Sequence, residues 1–150
     1  MQKIDLTAED QQLVKAACDA AKKNVLQIGG EKLPPLVSAA VRLDNGDIIT
    51  GSNLITDVGS ISMCAEPFAI NEANRREGRT ITTIVAVYHQ PGHEPKVIPP
   101  CGRCREVIAD FISKGHVILR DPGSDKLYKT PSPALLPARY GDYWQGGELV

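Results

Sequence analysis

No stretch of this 150-residue sequence is apolar for long enough to span a bilayer, and Met1-Gln2-Lys3-Ile4-Asp5 lacks the apolar core of a signal peptide. Both absences make the cytoplasm the expected location. Charge of one sign is also missing: 17 Lys and Arg against 18 Asp and Glu leave a formal net charge of −1. The densest basic stretches, Arg75-Arg76 and Arg103 to Arg105, are short and flanked by Glu72, Glu77 and Glu106. Neither nucleic acid nor an anionic membrane is therefore an expected partner. Histidine is scarce, and the loop carrying His89 and His93 lacks the short fixed spacing to cysteine that zinc modules show. With only four cysteines and a cytoplasmic expectation, disulfides are disfavoured, which leaves metal ligands or small buried hydrophobes. The composition, 42% hydrophobic and 23% charged, is that of an ordinary globular chain, expected as a single domain over residues 1–150.

Three of the four cysteines have a chemical context. Pro99-Pro100-Cys101-Gly102-Arg103-Cys104-Arg105-Glu106 sets two thiols three residues apart at a predicted helix start, so one helical face carries both sulfurs. Prolines suit the first turn, and its exposed amides favour thiolate over thiol. Upstream, Cys64-Ala65-Glu66 offers a third sulfur with a carboxylate two residues on. Three thiolates invite a zinc ion that keeps a fourth position for water, the arrangement of a catalytic site. Glu66 then belongs beside that water as a proton acceptor rather than on the metal. Two other readings stay open: a closed structural zinc, with a histidine or Cys18 as fourth ligand, and a thiol redox pair. Cys18 falls among Val14, Ala17, Ala21 and Val25 at helical spacing, which reads as a small core residue.

The periodicity predicts a helix from Thr7, its N-cap, to about Val25. A loop covers Gly29-Gly30 through Pro34-Pro35, and a β-hairpin follows from strands Leu36 to Leu43 and Asp47 to Asn53 around Asp44-Asn45-Gly46. A second helix is expected from about Met63 to Glu77, a strand from Ile81 to Tyr88, and a loop from His89 to Pro100. The third helix, Cys101 to Lys114, should bury Val107, Ile108, Phe111 and Ile112 and stop at Gly115; strands His116 to Arg120 and Lys126 to Thr130 complete the chain. This alternation implies an α/β sandwich with a mixed sheet.

Cys64-Ala65-Glu66 followed by Pro100-Cys101-Gly102-Arg103-Cys104-Arg105-Glu106 resembles the cytidine deaminase superfamily, whose signature pairs x-Glu with Pro-Cys-x-x-Cys, and its wording is similar to that of the blasticidin S-type members. Val37 to Val41, Gly51-Ser52-Asn53, Leu135-Leu136-Pro137 with Tyr140, and Tyr143-Trp144-Gln145-Gly146 extend the resemblance over most of the chain. It implies a three-layer α/β/α sandwich on a five-stranded mixed sheet with both zinc helices on one face. It also implies one zinc per chain on Cys64, Cys101 and Cys104, with Glu66 catalytic and Asn53, Ala65 and Pro100 binding substrate. Arg103 is implied to sit by the thiolates, and the assembly to be a homotetramer. The implied reaction is hydrolytic loss of the exocyclic amine of a cytosine-type nucleoside or analogue, such as cytidine, deoxycytidine or blasticidin S, with a catalytically inactive binding module as the alternative. Three positions depart from the family: Ile55 where a glutamate grips the ribose, Leu33-Pro34-Pro35 where an aromatic stacks on the base, and Pro67 where arginine often follows the catalytic glutamate. These departures shift the expected substrate from plain cytidine toward a modified nucleoside or a blasticidin-like antibiotic.

Overall fold

The computed structural model describes residues 1–23, 26–28, 30–33, 36–145 and 147–149. The chain opens with α1 (Ala8–Lys23), started by a reciprocal cap in which the Thr7 backbone N–H donates to Asp10 and the Asp10 N–H donates to the Thr7 hydroxyl. The helix ends at Lys23, and Val25, its expected end, lies outside the described residues. A short strand ahead of the expected loop, β1 (Leu26–Ile28), pairs antiparallel with β2 (Glu31–Leu33), which forms inside the stretch expected as a loop.

The main sheet uses β3 (Val37–Leu43), β4 (Ile48–Ser52), β5 (Ile81–Tyr88), β6 (Lys96–Ile98), β7 (His116–Arg120) and β8 (Leu127–Pro131). Its order is β4-β3-β5-β7-β8, with β6 paired to β5. The five expected strands form that path; β6 is an addition, arising inside the stretch read as a loop. Only β5 and β7 are parallel among these pairs, and α3 (Gly102–Phe111) lies between them in the chain. β5 pairs with β7 through Thr83 and Ile84 and with β6 from Ala86 to Tyr88, so one edge of β5 is shared and the sheet splits toward its end.

Alternation sorts the strand residues into two cores. Ala39, Val41, Leu43, Ile84, Ala86, Val117 and Leu119 face α2 (Ala65–Asn74) and α3, while Ala40, Val85, Val87, Val97 and Ile118 face Leu13, Ala17 and Ala21 of α1. The result is the expected three-layer sandwich, with helices on both faces of a mixed sheet. Cys18 is half-buried against the α1 core.

Two glycines set the spacing. A Cβ on Gly51 of β4 would sit 2.5 Å from the Ala69 backbone nitrogen and 3.0 Å from the Ala65 carbonyl oxygen, so α2 rests directly on bare backbone. At Gly115 a Cβ would lie 2.6 Å from the Thr82 carbonyl oxygen. The third helix is shorter than expected because Ile112 leaves helical geometry at φ −129°, ψ 39°. Phe111, expected in the core, is 46% exposed. It is the last helical residue and borders a surface groove with Thr80 and Thr82 at the start of β5 instead of entering the sheet interface. The tail carries β9 (Trp144–Gln145) and β10 (Glu148–Leu149), with the Tyr140 and Trp144 rings 5.8 Å apart.

Candidate metal and substrate site

Cys64 and Cys101 occupy the same position on two helices: each is the N-cap, in extended backbone, of α2 and α3 respectively. Both helices start at the end of the sheet where β5 splits between β6 and β7, and so their positive ends converge. Cys104, one turn into α3, is fully buried. The three sulfurs lie within 4.8 Å of one another, and those of Cys64 and Cys101 are 3.7 Å apart. Tetrahedral ligands on zinc at about 2.3 Å would stand roughly 3.8 Å apart, so the donor set fits that ion in both chemistry and size.

Burial dominates the proton affinities of these groups. It pushes the Cys104 thiol up, with the Glu66 carboxyl as the next contributor, and it pushes Cys64 up, with the Cys101 sulfur adding to it. At Cys101 burial acts in the same direction but is outweighed by the Cys104 backbone N–H and the neighbouring thiols, which hold it below an ordinary cysteine. Glu66, in the first turn of α2, is 4% exposed, and burial raises its carboxyl above the usual range. A carboxyl in that state takes up and returns a proton nearer neutrality than a solvated one.

Glu66, Cys64 and Cys101 line a cavity of about 280 Å³ whose other walls include Val37, Asn53, Ile55 and Ile98. Asn53 is tied reciprocally to Val37: its N–H donates to the Val37 carbonyl and its Oδ1 accepts the Val37 N–H, each at 3.0 Å. Ala65 and Pro100 are buried and lie outside the cavity lining, where Pro99 is found instead. Arg103 is exposed on the first turn of α3.

The two rival histidines lie elsewhere. His89 Nδ1 donates to the Ala21 carbonyl at 3.1 Å, which anchors it to the end of α1, and His93 borders a separate cavity with Lys96 and Arg120. Cys18 also stands outside the thiol cluster. Sequence reasoning missed Arg105: its Nε donates to the Pro100 carbonyl at 3.0 Å and its Nη1 to the Leu135 carbonyl at 3.3 Å, fixing the bend that aims Cys101. Arg103, two residues earlier, is the arginine that the resemblance implies, and the motif wording carries no sign of which arginine turns inward.

Residues 7–119 match the family model for the cytidine and deoxycytidylate deaminase zinc-binding region. Blasticidin-S deaminase of Bacillus cereus is 33% identical over 144 residues, covering 93% of this chain and 98% of that protein. Cytidine deaminase of Mycobacterium tuberculosis is 30% identical over 106 residues, 71% of this chain and 67% of its own length. Among solved structures, cytidine deaminase from Burkholderia pseudomallei superposes with a TM-score of 0.67 at 26% identity, over 90% of this chain and all of that one. Cytidine deaminase from Bacillus anthracis gives 0.72 over 91% of both chains at 20% identity, a likeness of fold.

Proposed function

The chain belongs to the cytidine and deoxycytidylate deaminase family, and from that premise we propose that it is a zinc-dependent hydrolase removing the exocyclic amine of a cytosine-type nucleoside or nucleoside analogue as ammonia. Cytidine, deoxycytidine and blasticidin S-like compounds are the substrates considered. The observation that carries this reading is the convergence of three cysteine sulfurs within 4.8 Å beside a buried carboxyl on the wall of a largely apolar cavity.

Cys64, Cys101 and Cys104 would hold the ion, whose Lewis acidity brings water within reach of deprotonation near neutral pH. Glu66 accepts the proton of the attacking water, passes it to the ring nitrogen beside the attacked carbon, and then serves the departing amine. In balance, the water oxygen joins the ring carbon, the bond to the exocyclic nitrogen breaks, and ammonia leaves with a carbonyl in its place. Val37, Ile55 and Ile98 keep competing water from the carboxyl. In this reading Asn53 offers its side-chain amide to a sugar hydroxyl from the cavity wall, and Ala65 and Pro100, next to Cys64 and Cys101 in the chain and just behind the lining, offer backbone groups to the substrate. Arg103, with the two helix N-termini, offsets the charge of three thiolates.

Residues 1–150 act as a single domain in this reading, built on one sheet with a core on each face. A homotetramer is the assembly we propose, supported by large apolar side chains exposed near the cavity mouth, Leu36, Leu54, Val58 and Ile61 among them. Cytoplasmic location and the absence of a nucleic-acid partner are part of the proposal, supported by the near-neutral charge balance; among the described residues no helix is long and apolar enough to cross a membrane. The test is ammonia release by zinc-loaded protein on cytidine, deoxycytidine and blasticidin S. Turnover that disappears in Glu66→Gln supports the reading; zinc retention with no turnover of any of the three favours a binding module.

A further inference from the structure

Arg105 carries a charge that no acid answers. It is half-buried in α3, its Nε and Nη1 donate to the Pro100 and Leu135 carbonyls, and it makes no ion pair among the described residues. Both of its acceptors are neutral. A guanidinium partly withdrawn from water without a carboxylate costs the fold free energy, which an anion taken from solution would offset.

Space for such an anion lies beside it. Arg105 borders a cavity of about 370 Å³ together with Arg120, Tyr128, Leu119 and Leu135, and none of the nine residues around that space is acidic. Arg120, at the end of β7, has 27% of its side chain exposed; its Nε donates to the Val97 carbonyl at 3.1 Å and its Nη1 to the Asp125 carboxylate. Neither arginine uses Nη2 in a hydrogen bond to protein among the described residues. Of the acids nearest Arg120 in the chain, Asp121 is paired with Lys3, and Asp125, 65% exposed, makes with Arg120 a surface pair of small energy. These pairs cancel, and the surplus positive charge is that of Arg105.

The donors left over select among anions. Each guanidinium has given two of its three nitrogens to protein acceptors, which leaves one nitrogen apiece. Two separate donors suit a group whose oxygens face several directions, a phosphate, better than the planar carboxylate that pairs with the fork of one arginine. Leu119, Leu135 and Tyr128 add an apolar wall. Cys64, Cys101 and Glu66 do not border this space, so its occupant is not the part of a molecule that reacts at the thiols.

We propose that the cavity bordered by Arg105 and Arg120 binds a phosphate group, with Nη2 of each arginine as donor and the wall of Leu119, Leu135 and Tyr128 receiving the apolar part of a small phosphomonoester. Free phosphate would use the same two donors.

Titration calorimetry of the zinc-loaded protein with phenyl phosphate, inorganic phosphate and benzoate tests this. Both phosphates are expected to bind saturably at millimolar concentration, and benzoate about tenfold more weakly. Tighter binding of phenyl phosphate than of inorganic phosphate identifies a phosphomonoester as the ligand; equal binding identifies free phosphate. Ala134 is exposed on the cavity wall, so Ala134→Glu brings a carboxylate to the space without entering the core and should weaken phosphate binding about tenfold. Asp125 stands at φ +56°, which asparagine tolerates, and Asp125→Asn frees Arg120 and should tighten binding about threefold. Arg105→Gln should abolish binding, but it also releases the Pro100 carbonyl, so the two surface variants decide. Benzoate binding as tightly as the phosphates, an affinity unmoved by Ala134→Glu and Asp125→Asn, or no saturable heat at millimolar concentration overturns the proposal.

Discussion

Replacing Gly51 by alanine tests whether the depth of α2 sets the chemistry. The new Cβ would stand 2.5 Å from the Ala69 nitrogen, whereas ordinary contact begins near 3.4 Å, so the α2 backbone must retreat by about 0.9 Å. That helix carries both Cys64 at its N-cap and Glu66 in its first turn, while Cys101 and Cys104 ride on α3. The shift thus stretches the thiol cluster and moves the carboxyl relative to the other two sulfurs. A misplacement of about 1 Å in a catalytic group costs on the order of 100-fold in rate, and overpacking of this kind about 1–3 kcal/mol in stability. Expected outcomes for Gly51→Ala are kcat near one hundredth of native, weaker zinc retention against a chelator, and a lower Tm. Gly46→Ala is the control: its glycine has φ +92° in an exposed turn with open space around it, so only stability should fall, by about 1 kcal/mol. If Gly51→Ala retains native kcat and zinc affinity, the contact between α2 and β4 does not position the site and the reasoning fails.

Glu66→Gln should keep zinc at native content by metal analysis while kcat drops by a factor of about 100 to 10,000, the range assigned to a proton-transferring group. Cys104→Ser removes a fully buried sulfur and should reduce bound zinc well below native content, with Tm falling as the metal's contribution is lost. Asp10 is 3% exposed and accepts from Lys129 at 2.6 Å; burial pushes its carboxyl up, but Lys129 and Thr7 outweigh this and hold it below the ordinary value. A depressed carboxyl stabilises the fold above its unfolded pKa of about 3.9 and loses that contribution as pH falls through the folded value. Asp10→Asn should therefore cost about 3 kcal/mol by denaturant titration at pH 7, with the difference closing below about pH 4. Light scattering should return four times the mass of one chain.

Much of the fold was legible because strong periodicity and strong punctuation coincided. The runs at Val37–Leu43, Ile81–Tyr88 and His116–Arg120 are buried on both faces, and nearly continuous apolar sequence is how such strands read. Asp44-Asn45-Gly46 marked its hairpin, and Gly46 does take positive φ. The thiols were legible for another reason: Cys-x-x-Cys and Cys-x-Glu are patterns in which spacing and chemistry agree. What escaped depended on tertiary contact. Lys96–Ile98 is a strand because β5 offers an unpaired edge past Ile84, which a proline-rich stretch does not announce. Phe111 satisfied the helical spacing of a core residue, yet the helix ended beside it. Arg105 and Arg103 are equal in composition, and only the placement of the Pro100 and Leu135 carbonyls distinguishes them.

A contrast between helix starts shows what the site costs the fold. α1, remote from the thiols, begins with Thr7 and Asp10 satisfying each other's backbone N–H groups, the arrangement that stabilises a helix start by about 1 kcal/mol. α2 and α3 place cysteine in the same position, and neither sulfur makes a side-chain cap hydrogen bond. Both thereby forgo a conventional cap, which breaks a local rule at two adjacent places. At Cys101 burial is outweighed by the Cys104 backbone N–H and the neighbouring thiols, which hold it below an ordinary cysteine, whereas at Cys64 burial prevails and raises the thiol. Three thiolates on a dication would otherwise form a net negative cluster and blunt its acidity toward water. Two uncapped helix ends therefore weaken local stability in the step that favours metal binding, and metal binding returns stability to the folded chain. For the proposed zinc site, this coupling gives cysteine a reason to stand at both N-cap positions, where each sulfur meets the positive end of a helix.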